Sequence, residues 1–128
     1  MALQIDWTDE TGVQHAEAYA KICHLRMTHV VDISARMEVR VWHNEAARSK
    51  ATPSDMKEPF KDITYVIKGS DYTTYLEDSV IKANGVSVTS SMYSWLKVHN
   101  DSSYTHNDAG ERQENMGNGI DWTKATDV

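Results

Sequence analysis

The sequence has one cysteine, only two prolines and no run of basic residues, and each shortage removes a class of protein. With Cys23 alone no disulfide can close within the chain, so folding rests on packing, as suits synthesis in a reducing cytoplasm. Thirteen Lys and Arg against nineteen Asp and Glu leave a formal net charge of -6. That field repels phosphate backbones and no basic cluster overrides it locally, so nucleic acid is not an expected partner. No stretch approaches the roughly 18 apolar residues of a spanning helix, and MALQIDW has neither the basic nor the apolar region of a secretory signal. Neither secretion nor membrane insertion is signalled.

Catalytic signatures are scarce too. GxSxG, HExxH, the P-loop and GxGxxG are missing. Cys23 lies among apolar neighbours, where it reads as a small buried hydrophobe rather than a nucleophile. The six histidines (His15, His24, His29, His43, His99, His106) lack the short paired spacings of a zinc site. HND occurs at His99–Asp101 and again at His106–Asp108, but without the acidic order of a calcium loop, so turn formation by Asn and Asp explains it better. The expectation is a non-enzyme without cofactor or metal.

What is present begins with alternation. In VDISARMEVRVW, Val31, Ile33, Ala35, Met37, Val39 and Val41 alternate with Asp32, Ser34, Arg36, Glu38 and Arg40. This is a long strand with one dry and one wet face, as in an antiparallel sheet covered on one side. Upstream, AEAYAKICHLRMT reads as a second strand, with Tyr19, Cys23, Leu25 and Met27 at odd positions and Ala18, Ala20, His24 and Arg26 at even ones. His29 and Val30 form the turn between the two strands. LQIDW precedes as a short first strand, and Asp9–Gly12 (DETG) is the turn after it. FKDITYVIK supplies a fourth, through Ile63, Tyr65 and Ile67.

Between Trp42 and Phe60 lies a long polar loop holding both prolines and a possible helical turn at Glu45–Arg48. After Gly69, Asp71 can cap a helix with the stripe Tyr72, Tyr75, Leu76, Ser79 and Val80, broken at Asn84-Gly85. Val88, Met92, Trp95 and Leu96 mark a second, with Thr89 or Ser90 as N-cap. From His99 onward there is no apolar periodicity, and residues 99–128 carry six acids against Arg112 and Lys124, or -4 of the total. The fold class is therefore α+β: residues 1–98 form one domain, a small antiparallel sheet of about four strands with two short helices packed after it. Residues 99–128 form an extended polar tail expected to dock on a partner chain.

IDWT appears twice, at Ile5–Thr8 and at Ile120–Thr123. Chance is one explanation; two segments that meet the same kind of surface is the other. Trp42 and Trp95 fall in or at the end of apolar stripes and read as core. Trp7 and Trp122 lie near the termini, where a large aromatic needs burial and a neighbouring subunit can provide it. For Trp7 the interface and core readings stand level; for Trp122 the interface reading leads. Ile5, Trp7, Ile120 and Trp122 are thus the candidate partner-binding residues.

The order of features resembles small structural proteins from the tail modules of tailed bacteriophages. The resemblance runs through an AYAKI-like segment at Ala18–Ile22 and an EAR-like element at Glu45–Arg48. It continues through a DYxxYL helix at Asp71, Tyr72, Tyr75 and Leu76, and an AYxYLK-like helix at Met92–Lys97. It covers residues 1 to about 98 and has no counterpart for the tail. It implies a non-enzymatic virion component, associated with tail, baseplate, fibre or head-to-tail parts, made in the host cytoplasm and bound to other virion proteins and to copies of itself. Two alternatives belong to other classes: a module binding carbohydrate or a host surface through exposed aromatics and the loop, and a small phage inhibitor of a host protein. Membranes are not expected partners in any of these.

Overall fold

The computed structural model describes residues 2–8, 12–29, 33–42, 44, 61–101, 115 and 119–128. The turn residues 9–11 and 30–32, the helical turn at Glu45–Arg48, the second HND and most of residues 102–118 lie outside these.

Among the described residues the strands are β1 (Leu3–Thr8), β2 (Gln14–Thr28), β3 (Ser34–Trp42) and β4 (Lys61–Lys68). Helices α1 (Ser70–Tyr75), α2 (Asp78–Asn84) and α3 (Val88–Leu96) follow, then a 3-10 turn at Trp122–Lys124 and a two-residue strand β5 (Thr126–Asp127). The sheet is antiparallel throughout, in the order β4-β3-β2-β1-β5. The α+β reading holds, with a fifth strand that comes from the tail.

Alternation decides which way each strand faces. In β3, Ala35, Met37, Val39 and Val41 are buried; in β4, Ile63, Tyr65 and Ile67 are. Each such aliphatic side chain contributes about 1.5–3 kcal/mol over an exposed one. Strand β2 departs from a single phase. Ala18, Ala20 and Ile22 are buried, so its even positions face the core. Between Ile22 and His24 the register against β3 shifts, leaving Cys23 as an extra residue. Beyond it the odd positions share the face of the buried β3 residues, with Leu25 opposite Met37 and Met27 opposite Ala35; Met27 packs against the core and Leu25 is exposed. A second irregularity lies opposite Ile5 and Trp7 of β1. Bulges bend a strand and increase its twist, and this sheet is curved: Lys61 of β4 sits 5.3 Å from the Trp7 ring centre on β1, three strands away.

The helices cover the concave side. Tyr93 of α3 accepts a hydrogen bond from the Ile22 N–H at 2.9 Å, tying the helix to the bulge in β2. The expected first helix is bent into α1 and α2. Tyr72 and Leu76 are buried, whereas α2 has no buried residue. The stripe fails at Ser79, which has no apolar side chain to hold the second half against the same surface. Gly85 ends α2 in the left-handed conformation (φ 63°), as the Asn-Gly pair suggests. The N-cap of α3 is Ser87, whose hydroxyl accepts from the Ser90 N–H at 3.1 Å, and not the expected Thr89 or Ser90. Asp71 does not cap α1 but lies in its first turn, accepting from the Trp95 indole at 3.2 Å.

Candidate functional site

The four residues expected to meet a partner are all buried in the chain's own core, Ile5 and Trp7 at 2% and 5% exposure, Ile120 and Trp122 at 1% and 0%. The interface reading expected these side chains against a partner; in the described residues they pack within the chain, and the described part of the tail joins residues 1–98 through this core and the β1–β5 pairing. The physical reason lies in the curved sheet, whose concave side offers more apolar surface than the helices cover.

The two IDWT segments share one pattern of burial. In β1, Ile5 and Trp7 point inward while Asp6 and Thr8 are exposed. In the second copy Ile120 and Trp122 point inward, Thr123 is exposed, and Asp121 accepts from the Thr123 N–H at 3.1 Å to start the 3-10 turn. Gly119 leads into it beside the Trp7 indole.

A buried polar clasp holds this segment in place. Asp101, fully buried, accepts from the Tyr65 hydroxyl and, at 2.9 Å, from the Ile120 N–H. The Trp122 indole donates to the same Tyr65 hydroxyl at 2.7 Å. The backbones of Asp101 and of Gly119 and Ile120 also pair, at 3.0 and 3.1 Å, and the Trp122 N–H donates to the His99 carbonyl at 3.1 Å. A carboxylate is tolerated at such a depth only when hydrogen bonds replace its water. Around the clasp, Trp95 stacks on His99 with ring centres 4.6 Å apart, and Tyr65 meets both rings edge-on. Sequence reasoning took Asp101 for a turn former; the only hint of the clasp was a tyrosine at a core position, whose hydroxyl needs a partner.

Among the described residues, Asn115 engages the outer edge of β4. The Asn115 side chain accepts from the Val66 N–H at 2.7 Å and donates to the Val66 carbonyl at 2.6 Å, standing in for one residue of a further strand. Asn115 has φ 63°, which asparagine tolerates better than most residues.

Among the described residues the convex face is mostly polar. Asp6, His24, Arg26, Arg36, Asp62 and Thr64 are exposed on it. Arg40 lies 3.0 Å from Glu38 and 3.7 Å from Asp62. A hydrogen bond from Asp62, and then Arg40, hold the Glu38 carboxyl below its usual range, while burial and the neighbouring Glu38 push that of Asp62 up. Trp42, on the same face by alternation, is buried and tilts against Tyr19 with ring centres 6.3 Å apart. No group of three His, Cys, Asp or Glu side chains is placed to hold a metal ion among the described residues.

No protein family, no curated protein and no solved structure matches the chain.

Proposed function

We propose that the chain is a non-enzymatic structural component of a tailed-phage virion, associated with tail, baseplate or fibre, and that it acts through protein–protein contacts of its sheet. The motif order of residues 1 to about 98 is the basis of the resemblance, and one observation supports the mode of action: β4 is the end strand of a sheet whose concave side is packed, and the described residues of its convex face are mostly polar. A sheet edge accepts an extended segment of a neighbour as an added strand. The side chains of Ile120 and Trp122 in the C-terminal IDWT are buried in the chain's own core, so the reading rests on the sheet rather than on them. Carbohydrate stacking on tryptophan is disfavoured, since Trp7, Trp42, Trp95 and Trp122 are all buried.

The test is to raise antibodies against the purified chain and probe gradient-purified particles from its source by immunoblotting and immunogold microscopy. Label at the tail or baseplate supports the proposal. A chain absent from particles and recovered instead with one soluble host protein would replace it with the inhibitor reading.

A further inference from the structure

Arg26 and Arg36 stand directly opposite each other across β2 and β3, both exposed on the convex face. Like charges in opposed positions weaken a sheet, because the side chains start only about 5 Å apart. The other opposed cations, Lys21 and Arg40, are offset by Glu38 and Asp62, which lie on Arg40. Neither Arg26 nor Arg36 has an ion pair among the described residues. Between them the surface dips into a depression of 190 Å³, bordered also by His24, Glu38 and Thr64.

We infer that this arginine pair is the receptor for a single carboxylate side chain on a neighbouring protein. Two guanidinium groups offer planar forks that match a carboxylate, and one carboxylate between them turns their repulsion into two attractions. The depression has room for a side chain and its approach. A phosphate would satisfy the same forks, but Glu38 at the border and the net charge of -6 disfavour a chain of phosphates, whereas an isolated carboxylate senses chiefly the local pair. The inference deepens the proposed function and rests on it only for the existence of a protein neighbour.

The experiment follows the arginine side-chain Nε–Hε signals of the full chain by NMR at low salt. The probes are an N-acetylated, C-amidated Gly-Glu-Gly-Glu-Gly peptide, its Gln counterpart and a short oligothymidylate. The acidic peptide is expected to shift the Arg26 and Arg36 signals saturably while the Gln peptide leaves them in place. Arg26→Gln and Arg36→Gln should each weaken binding about tenfold, as for loss of a charge-assisted pair. Both variants should melt no lower than the parent, because each removes a like-charge contact, so their loss of binding cannot be put down to unfolding. Unmoved arginine signals, unchanged affinity in both variants, or tighter binding of the oligothymidylate would each overturn the inference. Failure here leaves the immunoblot of particles as an independent measure of the virion reading, and absence from particles leaves the titration standing.

Discussion

The indole N–H of Trp122 donates to the hydroxyl of Tyr65, 57 residues earlier in the chain, at 2.7 Å, and that hydroxyl donates in turn to the buried carboxylate of Asp101. One phenol oxygen thus joins the middle of an edge strand, the residues after α3 and the C-terminal turn. The last ten residues are part of the domain by virtue of this junction and of the β1–β5 pairing.

Tyr65→Phe keeps the ring and removes the junction. The Trp122 indole and one oxygen of Asp101 lose their shared partner at a fully buried site, which costs about 1–3 kcal/mol per unsatisfied group. Urea unfolding should show a loss of at least the lower figure with an unchanged slope. A midpoint equal to that of the parent would mean that the clasp does not contribute to stability.

Trp122→Ala removes the largest fully buried side chain, with an expected cost of about 3–5 kcal/mol. Before global unfolding, β5 should release from β1. Hydrogen exchange at Gln4, which faces Thr126, and at Val128, whose N–H donates to the Ala2 carbonyl, reads this directly. Protection at these amides equal to that of the parent would show that β5 pairs without help from Trp122.

Asn115→Ala opens the β4 edge at Val66, where both backbone groups now bond to the asparagine amide. Water can reach this partly exposed site, so the stability loss should stay near 1 kcal/mol, while self-association should rise because an open edge templates strand pairing. Sedimentation velocity over a concentration series separates the two effects; a variant as monomeric as the parent would deny Asn115 a role in guarding the edge.

Acid sensitivity should come partly from Glu38 and Asp62. Glu38, with its carboxyl lowered, supports the fold above its unfolded value of about 4.3 and loses that support as pH falls through the lower folded value. Asp62, with its carboxyl raised, acts in the opposite sense: its ionisation opposes folding at neutral pH, and the penalty fades as pH falls through the raised value. Asp62→Asn retains a donor for Glu38 and removes the adjacent negative charge. Melting temperature at pH 7 should hold or rise slightly, and its dependence on pH between about 3 and 6 should change shape. A profile superimposable on that of the parent would rule out the coupling.

Much of the architecture can be read from periodicity because burial on one side of a sheet imposes period two on the residues themselves. Strands β3 and β4 were placed by Ala35–Val41 and Ile63–Ile67 alone, and α3 by Val88, Met92, Trp95 and Leu96. The bulge at Cys23 was not legible, since one extra residue reverses the meaning of odd and even without changing composition. Nor was the break between α1 and α2, where Leu76 turns toward the core and Ser79 cannot follow.

Periodicity and composition alone specify an α+β domain with a one-sided antiparallel sheet, an acidic C-terminal region and an alternating Ile-Asp-Trp-Thr near both ends. What the second copy meets is settled by packing in three dimensions. An inward Ile and Trp with an outward Asp and Thr suit a neighbouring chain and the chain's own core equally well, because alternation specifies a face and not its owner. Curvature of the sheet exposes an apolar strip beside β1, and Tyr65 and Asp101 supply the hydrogen bonds that make burial there affordable. The segment therefore closes its own fold.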